Sequence, residues 1–202
     1  MRIISWLDTL GNALLLQLLF LAFSLPVITA APAAIALQRQ FRDLCQGEKT
    51  GMRSYALEFV SAWRAAWPIG ILFPLAAVGF AVGIPFWYSS GSWLGTTAMV
   101  VLICLAGLAL AFWLAFLWAA DSDRATSRSA WRAWAAAAAA ALVQRSGRVL
   151  WGLVLLVTWL ALAAFFLPAL LVGAGLAPAA IVYWTLSGRP TDAVADGQAR
   201  RS

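Results

Sequence analysis

Three long stretches without a charged side chain dominate the hydrophobic pattern of the chain, at residues 9–38, 65–120 and 149–188. A helix that crosses the hydrocarbon core of a bilayer needs about 20 predominantly apolar residues. Each stretch is longer than that, and each is interrupted by residues that turn or end a helix. The pattern therefore predicts that each stretch forms two helices that fold back on each other as a hairpin.

The interrupting residues place the three turns. Pro26 and Pro32 break the first stretch, the Ser-Ser-Gly-Ser run at residues 89–92 breaks the second, and Pro168 and Pro178 break the third. Proline lacks an amide donor and clashes with the preceding helical turn, and serine and glycine favour turns. We therefore predict six membrane helices, at about residues 7–23, 31–45, 67–88, 93–120, 149–167 and 177–186.

Two segments depart from plain spans. Pro74 and Pro85 predict kinks in the third helix. Residues 121–148 include seven consecutive alanines, but only 12 residues separate Arg132 from Arg145, which is about 18 Å of helix. That is too short for a core of about 30 Å. We predict an interfacial helix here, with a seventh crossing as the alternative.

Composition supports the membrane interpretation. Hydrophobic residues make up 63% of the 202 residues and charged residues 11%, whereas soluble domains are about half apolar and a quarter charged. The predicted fold class is all-α: a polytopic transmembrane helical bundle of about six membrane segments in three hairpins, with amphipathic cytoplasmic helices. Residues 1–188 form one integral membrane domain, and the polar residues 189–202 are expected to be a disordered cytoplasmic tail.

The inventory of reactive side chains is small. The chain has no histidine, two cysteines and eight acidic residues, which disfavours metal sites, histidine-based catalysis and a disulfide framework. No phosphate-binding glycine loop and no Ser-Lys or Ser-His arrangement is evident. We expect no catalytic residue, no metal and no cofactor, and an enzyme is the least favoured functional class.

The 14 lysines and arginines predict the topology. In the six-helix arrangement all of them fall on one side of the membrane, which places both termini in the cytoplasm. Arg39 and Arg189 then have to snorkel from the ends of short spans. Four crossings, with each broken end stretch as one kinked helix, are the alternative. The net charge of +6 is explained by this asymmetry and not by nucleic-acid binding. A cleaved signal peptide is the alternative for the first helix, but Asp8 and Pro32 favour an uncleaved one.

Few polar or aromatic side chains are expected at membrane depth. Gln17 is the deepest amide, and we expect it to face another helix or a cavity, because an amide is costly in lipid. Most of the 12 tryptophans, Trp134 among them, fit an aromatic belt at the interfaces. Trp113 and Trp159 lie deeper and are candidates for packing or for a ligand wall. The candidate helix-break or cavity positions are therefore Gln17, Pro26, Pro32, Trp113, Trp159, Pro168 and Pro178.

Several local motifs resemble one family. They are Asn-Ala-Leu-Leu-Leu at residues 12–16, Phe-Ser-Leu-Pro-Val-Ile-Thr-Ala at 23–30, Phe-Arg-Asp-Leu-Cys-Gln-Gly-Glu at 41–48 and Phe-Val-Ser-Ala-Trp-Arg at 59–64. Over about residues 8–70 the chain resembles the YesL-like bacterial membrane proteins, a domain of unknown function. The resemblance implies an association with carbohydrate uptake systems of the ABC importer type. The family has no established site residues to carry over.

Two functional hypotheses follow. The first is a non-enzymatic accessory or regulatory partner of a sugar ABC importer permease, embedded in the lipid bilayer. The second is a facilitator for a small neutral solute, with a path lined by Gln17 and threonines such as Thr96, Thr97 and Thr158. An ion-coupled transporter is disfavoured because the predicted spans contain no ionisable side chain at depth. A water-accessible path would favour the second hypothesis, and a solid bundle the first.

Overall fold

The computed structural model describes residues 2–48, 50–123, 127, 129–165 and 173–186, with side chains from residue 11 onward. These residues form helices and no strand, so the all-helical class is confirmed. Pro168 and the predicted tail at residues 189–202 lie outside the described residues. The helices are α1 (Arg2–Ser24), a short 3₁₀ helix (Val27–Thr29), α2 (Ala30–Cys45), α3 (Met52–Ser89), α4 (Trp93–Ser122), α5 (Ala130–Gln144), α6 (Ser146–Phe165) and α7 (Leu176–Leu186).

Three of these helices, α3, α4 and α6, are long and apolar enough to cross a membrane. Residues Gly11–Ser24 of α1 and the whole of α7 are apolar but shorter. Most of α2 is buried inside the protein, including polar side chains such as Gln38, Arg39 and Gln40. Membrane-length helices are therefore shown for three segments, and the arrangement of six crossings stays a prediction.

The turn between α3 and α4 forms where the Ser-Ser-Gly-Ser run predicts it. Gly91 adopts a positive φ of 62°, a conformation that costs little without a Cβ atom. The Ser92 hydroxyl then accepts a hydrogen bond from the backbone N–H of Gly95 at 3.0 Å, so Ser92 is the N-cap of α4. This local chemistry closes the α3–α4 hairpin.

The structure shows a break in α3 at a position that the sequence analysis did not predict. The backbone leaves helical geometry at Ala66 (φ −118°, ψ 16°), two residues before Pro68, while Pro74 and Pro85 sit inside continuous helix. The kinks at Pro74 and Pro85 stay predictions. The Pro68 ring crowds the turn that precedes it, and the bend falls where Ala65 and Ala66 are fully buried against neighbouring helices.

The main core cluster combines residues of α2, α3, α4, α5, α6 and α7, and it is rich in alanine. The alanine run predicted to form an interfacial helix is α5, whose buried residues Trp134, Ala138 and Ala141 recur at helical spacing and form one face. Trp134 is only 1% exposed and packs against Phe116 at 6.0 Å between ring centroids. Its assignment to an interfacial belt is wrong, because the small alanine side chains let α5 approach closely enough to enclose the indole ring.

The α3–α4 hairpin extends beyond the turn between α1 and α2. The turn between α1 and α2 contacts α3 at Gly70, where a Cβ atom would lie 2.7 Å from the carbonyl oxygen of Ile28. Residues 71–89 continue α3 past this contact by about 28 Å. Their partner is the first part of α4, and Phe73 stacks on Trp113 with centroids 4.3 Å apart. We call residues 71–103 the α3–α4 arm.

Candidate functional site

A cavity of about 170 Å³ lies between α1, α2, α3, α4 and the start of α7. Its volume is close to that of engineered protein cavities of about 150 Å³ that bind benzene. Small side chains of α2 and α7 leave this space open, and large aromatic rings bound it. The lining residues are Phe20, Ala30, Ala31, Ala34, Gln38, Phe73, Trp113, Leu117, Ala174, Gly175, Pro178 and Ala179.

Gln38 brings the one long amide side chain to the lining of this cavity. It follows Ala31 and Ala34 at a spacing of three and then four residues, which puts all three on one face of α2. The residue is 1% exposed, and its amide oxygen and nitrogen both lack a hydrogen-bond partner among the described residues. Leaving such a group unsatisfied costs about 1–3 kcal/mol. A small guest that hydrogen-bonds to an amide would remove that cost.

Trp113 forms the aromatic wall of the cavity. Its indole ring is stacked between Phe73, at 4.3 Å, and Phe116, at 6.0 Å between centroids. Offset stacking of this kind fixes the ring orientation. The cavity therefore combines a rigid aromatic surface with a single amide, a lining suited to a small neutral molecule.

Gln17 supports the cavity without lining it. The side chain is 2% exposed, as expected for the deepest amide. Its Oε1 atom accepts hydrogen bonds from the backbone N–H groups of Gly175 at 3.2 Å and Leu176 at 3.1 Å. These are donors at the start of α7 that have no partner within the helix. A Cβ atom at Gly175 would run into Leu37 and Phe20, so the close approach of α7 requires glycine there.

Of the remaining predicted positions within the described residues, Pro178 lines the cavity, whereas Pro26, Pro32 and Trp159 do not. Pro178 lines the cavity in the first turn of α7, where a missing N–H costs little. Pro32 is buried in α2 near Gly70. Pro26 precedes the 3₁₀ helix, and its carbonyl oxygen accepts from the Thr29 N–H at 2.8 Å. Trp159 packs beside Gly173, outside the lining.

Arg39 follows Gln38 on α2 and faces a different set of neighbours. Its Nη1 atom is 2.8 Å from Glu58 Oε2, and its Nε and Nη2 atoms donate to the carbonyl oxygen of Ala120 at 3.2 and 2.9 Å. That carbonyl belongs to the last turn of α4, where carbonyl groups lack helical partners and attract cations. The expectation that Arg39 snorkels to the membrane surface is wrong, because the residue is 1% exposed and its partners are inside the protein.

Further polar contacts surround Arg39. Its guanidinium carbon lies 5.6 Å from the ring centre of Trp134, and the indole Nε1 donates to Asp123 Oδ2 at 3.3 Å. Arg42 contacts Asp121 at 3.4 Å between Nη1 and Oδ2. We call this region the polar end of the bundle, formed by Gln38, Arg39, Arg42, Glu58, Asp121, Asp123 and Trp134. Sequence reasoning missed Gln38 and the buried role of Arg39.

The threonines predicted to line a solute path lie elsewhere. The hydroxyl groups of Thr96, Thr97 and Thr158 donate to carbonyl oxygens four residues earlier in their own helices. All three residues are exposed on the outer surface of the bundle and none lines the cavity. Within the described ranges no group of three or more histidine, cysteine, aspartate or glutamate residues is placed to hold a metal.

Comparisons with known proteins add no relative: no family model, no curated protein and no solved structure matches the chain. The fold and the site define the class of protein as an all-helical chain with three apolar helices of membrane length and a small cavity, to whose lining two of those helices, α3 and α4, contribute. The resemblance of residues 8–70 to the YesL-like proteins stays a prediction.

Proposed function

We propose that the protein is a non-enzymatic, multi-pass protein of the bacterial plasma membrane that serves as an accessory or regulatory component of a carbohydrate uptake system of the ABC importer type. The resemblance to the YesL-like proteins and the three apolar helices of membrane length support this proposal. The outward position of Thr96, Thr97 and Thr158 is the observation that favours this accessory role over a conducting role. A conducting path would need polar groups beyond the cavity, and these three threonines do not supply them.

A regulatory role would act through α2, which contacts both the cavity and the polar end of the bundle. Gln38 lines the cavity, and the next residue, Arg39, binds Glu58 and the end of α4. A small neutral molecule bound at Gln38 would shift or stiffen this turn of α2. The same turn carries the contacts of the polar end, so occupancy of the cavity would be transmitted to Glu58 and to the end of α4.

The direct test is co-purification and uptake. After the membrane is solubilised in detergent, the tagged chain is expected to co-purify with the permease subunits of a sugar importer. A strain that lacks the gene is expected to take up that sugar more slowly. Complementation with the Gln38→Met variant should restore uptake less well than wild type, while the Val82→Thr change on the exposed arm should restore it fully. Normal uptake in the deletion strain together with no retained permease would contradict the proposal.

A facilitator for a small neutral solute is the second candidate, favoured by the unpartnered amide in the cavity. Purified protein in liposomes distinguishes the two. A facilitator would speed the swelling of liposomes in glycerol, and the Gln38→Met change would alter that rate. An accessory protein would leave swelling at the rate of empty liposomes.

The proposed topology puts both termini in the cytoplasm. In a background with Cys45→Ser and Cys104→Ala, we expect Ser90→Cys to react with an impermeant maleimide in intact cells. Ser127→Cys should react only after permeabilisation. Both serines are exposed, so reagent access is not limiting. Labelling of Ser127→Cys in intact cells would reverse the proposed orientation.

A further inference from the structure

A long groove runs along the outer surface of the bundle between α4 and α6. Its volume is about 580 Å³, and we call it the α4–α6 groove. Apart from Cys104 and Ser146, its lining is aliphatic or glycine, and the principal residues are Gly107, Leu108, Ala111, Leu142, Leu150 and Leu153. The length from Ser146 to Leu153 is about 10 Å of helix. This shape and composition suit a hydrocarbon chain.

The groove opens at one end onto a basic recess. Residues 144–148 line this recess, of about 440 Å³, and Ser146 and Gly147 line both the recess and the groove. The two spaces therefore adjoin at Ser146 and Gly147. Arg145 and Arg148 both belong to the recess, and none of the residues that line either space is acidic. A ligand that follows the groove thus ends beside two positive charges.

The two arginines differ in how they are held. Arg145 donates from Nη1 to the carbonyl oxygen of Leu186 at 3.1 Å, and its guanidinium carbon lies 4.6 Å from the ring centre of Trp118. A guanidinium has five donors, so Arg145 is fixed in place with donors to spare. The exposed Arg148 side chain makes no hydrogen bond or ion pair with a described residue. One cation is thus pre-positioned and the other is available.

Space and depth also fit a lipid. A Cβ atom added at Gly107 or Gly147 would meet no atom within 4 Å, so the groove is open at both glycines. Trp151 lies three residues after Arg148 and is 61% exposed. Exposed tryptophan beside arginine is typical of the headgroup level of a bilayer. We therefore expect the recess to lie at the level of the lipid phosphates.

We propose that the α4–α6 groove is a binding site for an anionic phospholipid, with one acyl chain along Gly107 and Leu150 and the phosphate between Arg145 and Arg148. Guanidinium groups form paired hydrogen bonds with phosphate oxygens. A zwitterionic lipid has the same phosphate, but its own cation opposes the two arginines. The site therefore selects a lipid by the net negative charge of its headgroup, independently of any role in sugar uptake.

The headgroup half of the proposal is tested by native mass spectrometry of the full-length chain with dioleoyl phosphatidylglycerol and dioleoyl phosphatidylcholine. Wild type is expected to retain phosphatidylglycerol at least about fivefold better, since each arginine near anionic lipid is worth about that factor. The Arg148→Gln variant should lose about fivefold of this preference, and Arg148→Lys should keep most of it. Arg64→Gln, at an exposed arginine of α3 that lies outside the groove and has the exposed Trp67 three residues later, is the matched control and should lose less of the preference.

The acyl half is tested by filling the groove. Gly107→Leu should reduce retention of both lipids severalfold, because its side chain occupies the space of the chain. Gly79→Leu is the control, since Gly79 also has no neighbour within 4 Å but lies on the arm outside the groove. Equal retention of the two lipids by wild type, equal losses in Arg148→Gln and Arg64→Gln, or unchanged binding in Gly107→Leu would each overturn the proposal.

Discussion

The polar end of the bundle and the α3–α4 arm share two helices but are covered by different surroundings. At the polar end, Arg39 is enclosed by Glu58, Ala120 and Trp134. On the arm, Val78, Val82 and Phe86 are each about three-fifths exposed, and of the most apolar part of α3 only 6% is buried inside protein. Lipid is the medium in which such an arm is stable. The difference indicates that protein contacts stabilise one region and the bilayer the other.

Removing the guanidinium of Arg39 is expected to have the largest effect. Arg39→Met should lower the free energy of unfolding by about 3 kcal/mol, because it leaves buried polar groups without their cation. Unfolding followed by circular dichroism in detergent micelles measures the change. Arg64→Met, at an exposed arginine of the same charge, should stay within about 0.5 kcal/mol of wild type. Equal losses in both variants would remove the distinction between an enclosed and an exposed arginine.

Two buried glutamines, Gln38 in the cavity lining and Gln17 outside it, give a sharper pair. Gln17→Met should lower the free energy of unfolding by about 1–3 kcal/mol, because two backbone N–H groups of α7 lose their acceptor. Gln38→Met should raise it by about 1 kcal/mol, because an unsatisfied amide is removed. The same substitution is thus expected to have opposite signs. A loss at Gln38 that disappears when the purified sample is freed of small molecules would point to a bound ligand.

The contact between the α1–α2 turn and the start of the arm is tested with glycine. Gly70→Ala should cost about 1–3 kcal/mol, since its Cβ would lie 2.7 Å from the Ile28 carbonyl oxygen. Gly79→Ala has open space and should gain about 0.5–1 kcal/mol from helix propensity. Thermal unfolding of both variants in one detergent gives the comparison, and a gain at Gly70 would show that the turn does not press on α3.

The smallest effects are expected from valine-to-threonine changes, and the change on the arm should lower the free energy of unfolding less than the change in α7. Val182→Thr, at a fully buried position of α7, should cost about 1 kcal/mol, because the hydroxyl enters an apolar site. Val82→Thr, at a position that is 65% exposed, should stay within about 0.5 kcal/mol in detergent. A larger loss at Val82 would mean that the arm is packed against protein, for example against a second chain.

Features that depend on a few neighbouring residues were predicted from the sequence, whereas features that depend on contacts between distant residues were not. The turn at residues 89–92, the helix of alanines in α5 and the burial of Gln17 follow from local chemistry, and the structure contains all three. The burial of Arg39 did not follow, because its acceptor, the carbonyl oxygen of Ala120, is 81 residues away in the chain. Trp134 was misassigned for the same reason: a hydropathy pattern does not distinguish an indole ring that faces lipid from one that faces Arg39.

The candidate site shows the same division. Trp113 was a candidate because of its depth in a predicted span, and Pro178 because it breaks a helix. Both line the cavity. Gln38 was not, since in the sequence it is one polar residue among Gln38, Arg39 and Gln40 at the end of an apolar stretch. The rotation of α2 about its own axis decides that the Gln38 amide lines the cavity while the neighbouring Arg39 contacts Glu58 and the end of α4.

By itself the sequence determined the helical class, the apolar segments and the first two turns, because hydrophobic periodicity and the backbone limits of proline and glycine act over a few residues. The tertiary structure decided which helices surround the cavity and that α2 is buried by protein. It also decided that Arg39 is satisfied internally. These outcomes depend on which faces meet across the bundle, and such contacts join residues that are far apart in the chain.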